Sequence, residues 1–398
     1  MTPQRLTRRR FLQGATALGA VSTLGACRGG TDAARPAPTT AADPGPPAPP
    51  PSQGTLVVVT LAGGNDALNT VVPVDDPAYL RLRGGLAVDP STTHDLGDGF
   101  ALHPALVGCK ALWDEQRLAV VHGVGFDGLD RSHFHCMDVW QSGDTDLTAT
   151  GWIGRWLDAV SSDPLDAVVV GQRLPLLGRG GRRSAAVVAP GPFDLPGDPA
   201  LHEVLARMVG SDRGRSPLAA RSAAATRDLL EVSSRLSPVL AGAAADDTLA
   251  GQLETVAAGI EADLPTRVWA VELGGFDTHA DQAPTHEALL GELDTALSGF
   301  LARTDGRPVT VLVYSEFGRR VAPNGSDGTD HGGAGTMLLA GTVAAGHHGE
   351  PPPLDRLADG DLVTTVDFRS VYGGVLEGVL GVPATDVLGA APRPLALI

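Results

Sequence analysis

The chain has 398 residues and a formal net charge of −16, with 46 acidic against 30 basic side chains. So acidic a surface repels nucleic acid and gives anionic lipid little to hold, so any anionic ligand needs local positive charge from a metal or a few arginines. Hydrophobic residues reach 43% but aromatics only 4%, so a large core can form and Ala, Val and Leu must fill most of it.

Near the start, Thr7-Arg8-Arg9-Arg10-Phe11-Leu12-Gln13 is a twin-arginine export pattern. The apolar stretch Ala15–Ala26 is about 12 residues, too short to span a bilayer but fitting the apolar region of a signal peptide. It closes on Leu24-Gly25-Ala26-Cys27, which resembles a lipobox. Residues 1–27 are therefore expected to be a signal peptide read by the twin-arginine translocase. The mature protein is expected in the cell envelope, periplasmic or extracellular, held to a membrane only through a lipidated Cys27. Plain cleavage near Ala26 is the alternative. Residues 28–53, with Pro46-Pro47-Ala48-Pro49-Pro50-Pro51, are expected to be an extended, disordered linker.

From residue 54 to 398 one folded domain is expected. Leu56–Leu61 is a continuous apolar run, the pattern of a strand buried on both faces. Similar runs follow at Leu118–Val121, Asp166–Val170 and Ala185–Ala189. Residues 215–262 have the pattern of two long helices, and the stretch over about 200–262 is expected to be a helical insertion or cap. The run Val268–Leu273 precedes a helix over His286–Leu301, whose Leu289, Leu293, Leu297 and Phe300 form one stripe. Val309–Tyr314 and Met337–Ala340 are two more strands, and Asp367 caps a last helix reaching Leu380. Strands alternating with helices predict an α/β three-layer sandwich around a mostly parallel sheet. Cys109 and Cys136 either pair or stay as buried thiols.

In such a sheet ligands bind beyond the carboxyl ends of the strands, and polar residues collect at these ends. After Leu61 comes Gly63-Gly64-Asn65-Asp66, with Asp66 a metal ligand or a simple helix cap. After Val121 comes Asp130-Arg131-Ser132-His133-Phe134-His135, with Ser132 at a helix start that favours an acidic hydroxyl, or merely caps the helix. After Leu273 comes Gly274-Gly275-Phe276-Asp277-Thr278-His279, and after Tyr314 comes Ser315-Glu316-Phe317-Gly318-Arg319. A glycine-rich loop then leads to Asp330-His331. Asp66, Asp277, His279, Glu316, Asp330 and His331 are the expected metal ligands, enough for one or two divalent ions of zinc, manganese or calcium. Ser132 is the expected nucleophile, and Arg131 or Arg319 would steady non-bridging oxygens. His94, His103, His202, His347 and His348 have no comparable setting.

These motifs, together with Thr329-Asp330-His331-Gly332 and Asp367-Phe368-Arg369-Ser370-Val371-Tyr372, resemble those of the domain-of-unknown-function 1501 family over about residues 54–398. That family is in turn distantly similar to the alkaline phosphatase and sulfatase superfamily. The resemblance implies an alkaline-phosphatase-like sandwich, a metal site at the strand ends with Asp66, Asp277, His279 and His331, and Ser132 as nucleophile. The chain departs from the superfamily pattern where Glu316-Phe317 stands in place of Asp-His, and the formylglycine signature of sulfatases is absent. The function expected is an exported metal-dependent hydrolase of phosphate or sulfate esters, acting on an anionic substrate, with a glycan as one candidate. The alternatives are a non-catalytic envelope protein that binds a glycan or exported partner, and a metal-dependent isomerase or transferase on the same scaffold.

Overall fold

The computed structural model describes residues 54–398 apart from 196, 212–215 and 391; the twin-arginine segment, Cys27 and the 28–53 linker lie outside the described residues. Strand β1 (Thr55–Leu61) is followed by α1 (Ala67–Thr70), β2 (Val71–Val72), α2 (Pro77–Arg83), β3 (His94–Gly97) and β4 (Phe100–Leu102). Helix α3 (Val107–Asp114) leads to β5 (Leu118–Gly125), α4 (His133–Ser142), α5 (Trp152–Val160), β6 (Ala167–Val170) and β7 (Ala186–Val188). Three helices come next: α6 (Pro199–Val209), α7 (Pro217–Leu240) and α8 (Leu249–Glu261). Then follow β8 (Val268–Leu273), α9 (Gln282–Arg303), β9 (Val309–Tyr314), β10 (Gly335–Gly341), β11 (Gly346–His348) and β12 (Val366–Asp367). Helix α10 (Phe368–Val375), continued by a π-helical turn to Leu380, and α11 (Ala384–Leu388) end the chain. No helix among the described residues is long and apolar enough to cross a membrane.

The main sheet runs β11-β5-β10-β9-β1-β8-β6-β7, with β12 beside β5; β2, β4 and β3 form a small separate sheet. Only β10 is antiparallel to its neighbours in the main sheet, β5 and β9. Because β10 reverses direction between them, β5 and β9 point the same way, as do β1 and β8. The carboxyl ends of β5, β9, β1 and β8 therefore share one edge, and β10 begins there.

β1 shows why this is a three-layer sandwich. Its side chains alternate, so Leu56 and Val58 enter one core while Val57, Val59 and Leu61 enter the other. The first core is closed by α4, α5, α10 and α11, the second by α3, α8 and α9 with the end of α7. Helix α8 thus belongs to a covering layer, burying Leu253, Val256 and Ile260, whereas α6 buries only Val209. The aliphatic core expected from composition holds on the α3–α8–α9 side. Much of the small aromatic content is spent on the opposite side, where Trp140 stacks on Tyr314 at 5.2 Å and Tyr372 donates to the Trp140 carbonyl at 3.1 Å. Asp367 does cap α10, accepting from Arg369 N at 2.9 Å.

Cys109 and Cys136 are buried free thiols on opposite faces of the sheet. Burial pushes Cys136 up to about 12 and Cys109 well up as well. A reductant is therefore expected to leave the melting temperature unchanged; a drop of several degrees would reveal a disulfide between them.

Candidate metal centre

The shared edge gathers residues from loops far apart in sequence. Glu316 lies two residues past β9 and is 2% exposed, so its carboxylate needs donors around it. Gly63 N–H donates to both oxygens, at 2.9 and 3.2 Å, and Gly64 N–H to Oε2 at 3.3 Å. These amides reach it because the turn after β1 is glycine: Gly63 has φ +122°, and a Cβ there would lie 2.4 Å from Asp277 N. A Gly63→Ala variant is expected to lose metal affinity along with stability, because the β1 and β8 turns must separate; zinc titration and urea unfolding would check this.

The Ser315 hydroxyl donates to Oε2 at 3.0 Å, and a further partner of Glu316 is an imidazole. His133, in the first turn of α4, places Nδ1 2.8 Å from Glu316 Oε1. The other two histidines are held in the same way. His331 puts Nδ1 2.8 Å from the Arg131 carbonyl, and His279 puts Nδ1 3.3 Å from Asp330 Oδ1. Arg131 reaches His331 from a left-handed backbone, φ +61°, which a side-chain-bearing residue rarely adopts. Each Nδ1 faces an acceptor, and a proton held there would leave the matching Nε2 as a lone pair.

All three Nε2 atoms turn toward Asp277. His279 and His331 lie 3.1 Å from its Oδ1, and His133 lies 3.5 Å from its Oδ2. The Nε2 atoms of His279 and His331 are 2.9 Å apart. His133 Nε2 is buried and makes no hydrogen bond. Ligand atoms of His133, Asp277 and His331 lie within 4.8 Å of one another. Burial alone would raise the pKa of Asp277, but the hydrogen bond and charge of Arg319 outweigh it and hold the carboxyl at about 2. A carboxylate and imidazole lone pairs packed this closely repel unless a cation or shared protons lie between them, and nitrogen with oxygen donors suits zinc or manganese. Phe317 fixes the rings from the side, its centroid 4.9 Å from that of His133 and 4.8 Å from that of His331.

The expected residues are thus sorted into different places. Asp277, His279 and His331 meet. Glu316 and Asp330 stand behind imidazoles, gripping Nδ1 atoms. The structure does not bring Asp66 into the cluster: it is 1% exposed, caps α1, pairs with buried Arg83 and accepts from the Gln282 amide. Burial would raise its pKa, but Arg83 and His286 lower it overall. Since its folded value lies below its unfolded one, the stability it contributes is complete above about pH 4 and is lost as pH falls through the folded value. Acid titration of unfolding is expected to show this loss in the wild type and not in an Asp66→Leu, Arg83→Met double variant.

Arg319 is also buried, its guanidinium committed to backbone carbonyls and to Asp277 at 2.6 Å. Arg131 pairs through its side chain with Asp361 at 3.1 Å. Ser132 caps α4, accepting from His135 N at 3.5 Å. Two cavities flank the cluster. One of about 990 Å³ is lined by His133, Asp277 and Glu316, among others, and one of about 460 Å³ by Arg131, His279 and His331. Ser132 lines neither. His133 is the member of the cluster that sequence reasoning passed over. Its signal is its place directly after the Ser132 cap, which aims a first-turn side chain at the strand ends.

The model of the family described as "Protein of unknown function (DUF1501)" matches residues 141–370, which hold Asp277, His279, Glu316 and His331. The chain belongs to the DUF1501 family. No curated protein matches it in sequence. Among solved structures, it is similar to the C-terminal periplasmic domain of EcEptC from Escherichia coli, in complex with Zn, at 10% identity and TM-score 0.37 over 74% of this chain and 77% of that one. It is similar to the lipoteichoic acid synthase LtaP from Listeria monocytogenes at 8% identity and TM-score 0.36, over 86% and 78%. It is also similar to phosphonoacetate hydrolase from Sinorhizobium meliloti 1021, in complex with phosphonoformate, at 13% identity and TM-score 0.29, over 68% and 58%. Likeness this loose transfers no chemistry to the DUF1501 chain.

Proposed function

We propose that this DUF1501 protein is an exported, metal-dependent hydrolase of phosphate or sulfate esters. One observation carries the reading: three imidazole Nε2 atoms converge on Asp277 while each Nδ1 is gripped from behind. His133, Asp277 and His331 would hold a divalent cation, with His279 as a further ligand. Such a cation, when bound, draws charge from an ester oxygen and makes a nearby hydroxyl more acidic.

The chain's own residues set the stage for it. Glu316 keeps the His133 proton on Nδ1, so Nε2 stays a donor of electrons. Arg319 keeps Asp277 ionised and in place. Ser132 stands at the N-terminus of α4, directly before His133, where the helix dipole favours an oxyanion. In this reading its Oγ bonds to phosphorus or sulfur as the bond to the leaving alcohol breaks, the serine proton passing through solvent to that alcohol. Water then releases the anion and returns the proton to Ser132. The hydroxyl must leave its cap to attack, which costs the helix about 1 kcal/mol.

Export rests on the twin-arginine pattern of residues 7–13, and lipid attachment on Cys27. The substrate would be an anionic ester, with a glycan as one form of leaving alcohol. The test is turnover of 4-nitrophenyl phosphate and sulfate with zinc or manganese supplied. Wild type is expected to turn over at least one, reversibly inhibited by a chelator, and Ser132→Ala to lose on the order of 10³-fold or more in rate. A Ser132→Ala variant that keeps its rate would move the attack to water. No turnover of either ester with any metal would leave the non-catalytic binding protein as the reading to pursue.

A further inference from the structure

The larger cavity extends well beyond the metal cluster. From His133, Asp277 and Glu316 it runs to the segment after β6, which contributes Arg173 and Arg179. Both arginines are exposed, and neither guanidinium has a hydrogen bond or ion pair to any described residue. Glu272 shares the cavity and feels the charge of Arg173, but outside ion-pair distance. Most other arginines near the site are committed: Arg319 to carbonyls and Asp277, Arg131 to Asp361, Arg320 to the Asp359 carbonyl. In a chain of net charge −16, two uncommitted guanidiniums in one cavity are a local source of positive charge placed apart from the metal ligands.

The wall between these two ends is apolar. Phe134 follows His133 in α4, lines the cavity and is 87% exposed. Met137, Leu174, Pro175 and Leu177 line the same cavity. A phenylalanine left in water beside a ligand histidine offers a flat face for stacking. A volume of about 990 Å³ also far exceeds what a bare phosphate or sulfate needs.

We propose that this cavity binds an anionic ester whose leaving group carries a flat ring and a second anionic group. The ring lies against Phe134 and the second anion on Arg173 and Arg179. The word ester rests on the hydrolase reading; the ring and the second anion do not. Calorimetry on the zinc-supplied full chain, with naphthalene-1-sulfonate and naphthalene-1,5-disulfonate as uncleaved probes, tests the inference. Wild type is expected to bind the disulfonate about tenfold more tightly than the monosulfonate. An Arg173→Ala, Arg179→Ala double variant keeps monosulfonate binding and loses the difference, and Phe134→Ala weakens both probes alike. Equal affinities in wild type, or a difference that survives in the double variant, would overturn the proposal. The two readings separate cleanly: the expected binding pattern without ester turnover sinks hydrolysis alone, and turnover without the disulfonate preference sinks this inference alone.

Discussion

Replacing Arg319 by methionine is expected to destabilise the protein by about 3–5 kcal/mol and to abolish metal binding. The guanidinium is 1% exposed and joins three loops. It donates to the Gly64 carbonyl at 2.8 Å, the Thr329 carbonyl at 2.9 Å, the Phe276 carbonyl at 2.9 Å and Asp277 Oδ1 at 2.6 Å. Methionine keeps much of the length and none of the donors. It would strand those carbonyls without partners and remove the counter-ion that keeps Asp277 ionised. Lysine should recover part of the stability, because it restores charge but not the planar fork that serves several acceptors at once. Urea unfolding with zinc titration reads both effects. A methionine variant within about 1 kcal/mol of wild type would show that the turns after β1 and β8 hold themselves in place.

The second large effect is a graded loss of metal affinity. His133→Ala or His331→Ala removes a ligand atom, and affinity should fall by more than the 10–100-fold typical of losing an outer partner. Glu316→Gln keeps the ligand but loosens its grip on His133 Nδ1, so it should fall within that 10–100-fold range. His94→Ala should change nothing, since that ring hydrogen-bonds the Pro104 carbonyl in a different part of the fold. Competition titration against a chromogenic chelator gives the order. If Glu316→Gln weakened binding more than His133→Ala, Glu316 would be a ligand and His133 its support.

Much of the architecture was legible because the strands are buried on both faces and so appear as unbroken runs of Val, Leu and Ala, as in Val57-Val58-Val59. The glycine pairs after β1 and β8 were legible as turns for the same reason that they are needed: Gly63 and Gly275 both adopt positive φ. The loops that would hold the site were visible as Asp-Thr-His and Asp-His pairs at strand ends. Less legible was the division of labour among them. A carboxylate at a strand end can face a metal or stand behind an imidazole, and only the position of His133 separates these for Glu316. Asp66 is drawn away by Arg83, only 17 residues further along, because both are buried and each neutralises the other. An arginine in that setting carries no local sequence sign that its charge is turned inward. Phe317, at the position where the chain departs from the superfamily pattern, packs between His133 and His331.

X-ray absorption at the zinc edge of the zinc-loaded full chain tests the central claim most directly. Two or three imidazole neighbours with oxygen donors, one imidazole fewer in His133→Ala, and no sulfur are expected. A chain that takes up no stoichiometric divalent metal, or whose zinc has only oxygen or sulfur neighbours, would contradict the site built on His133, Asp277 and His331.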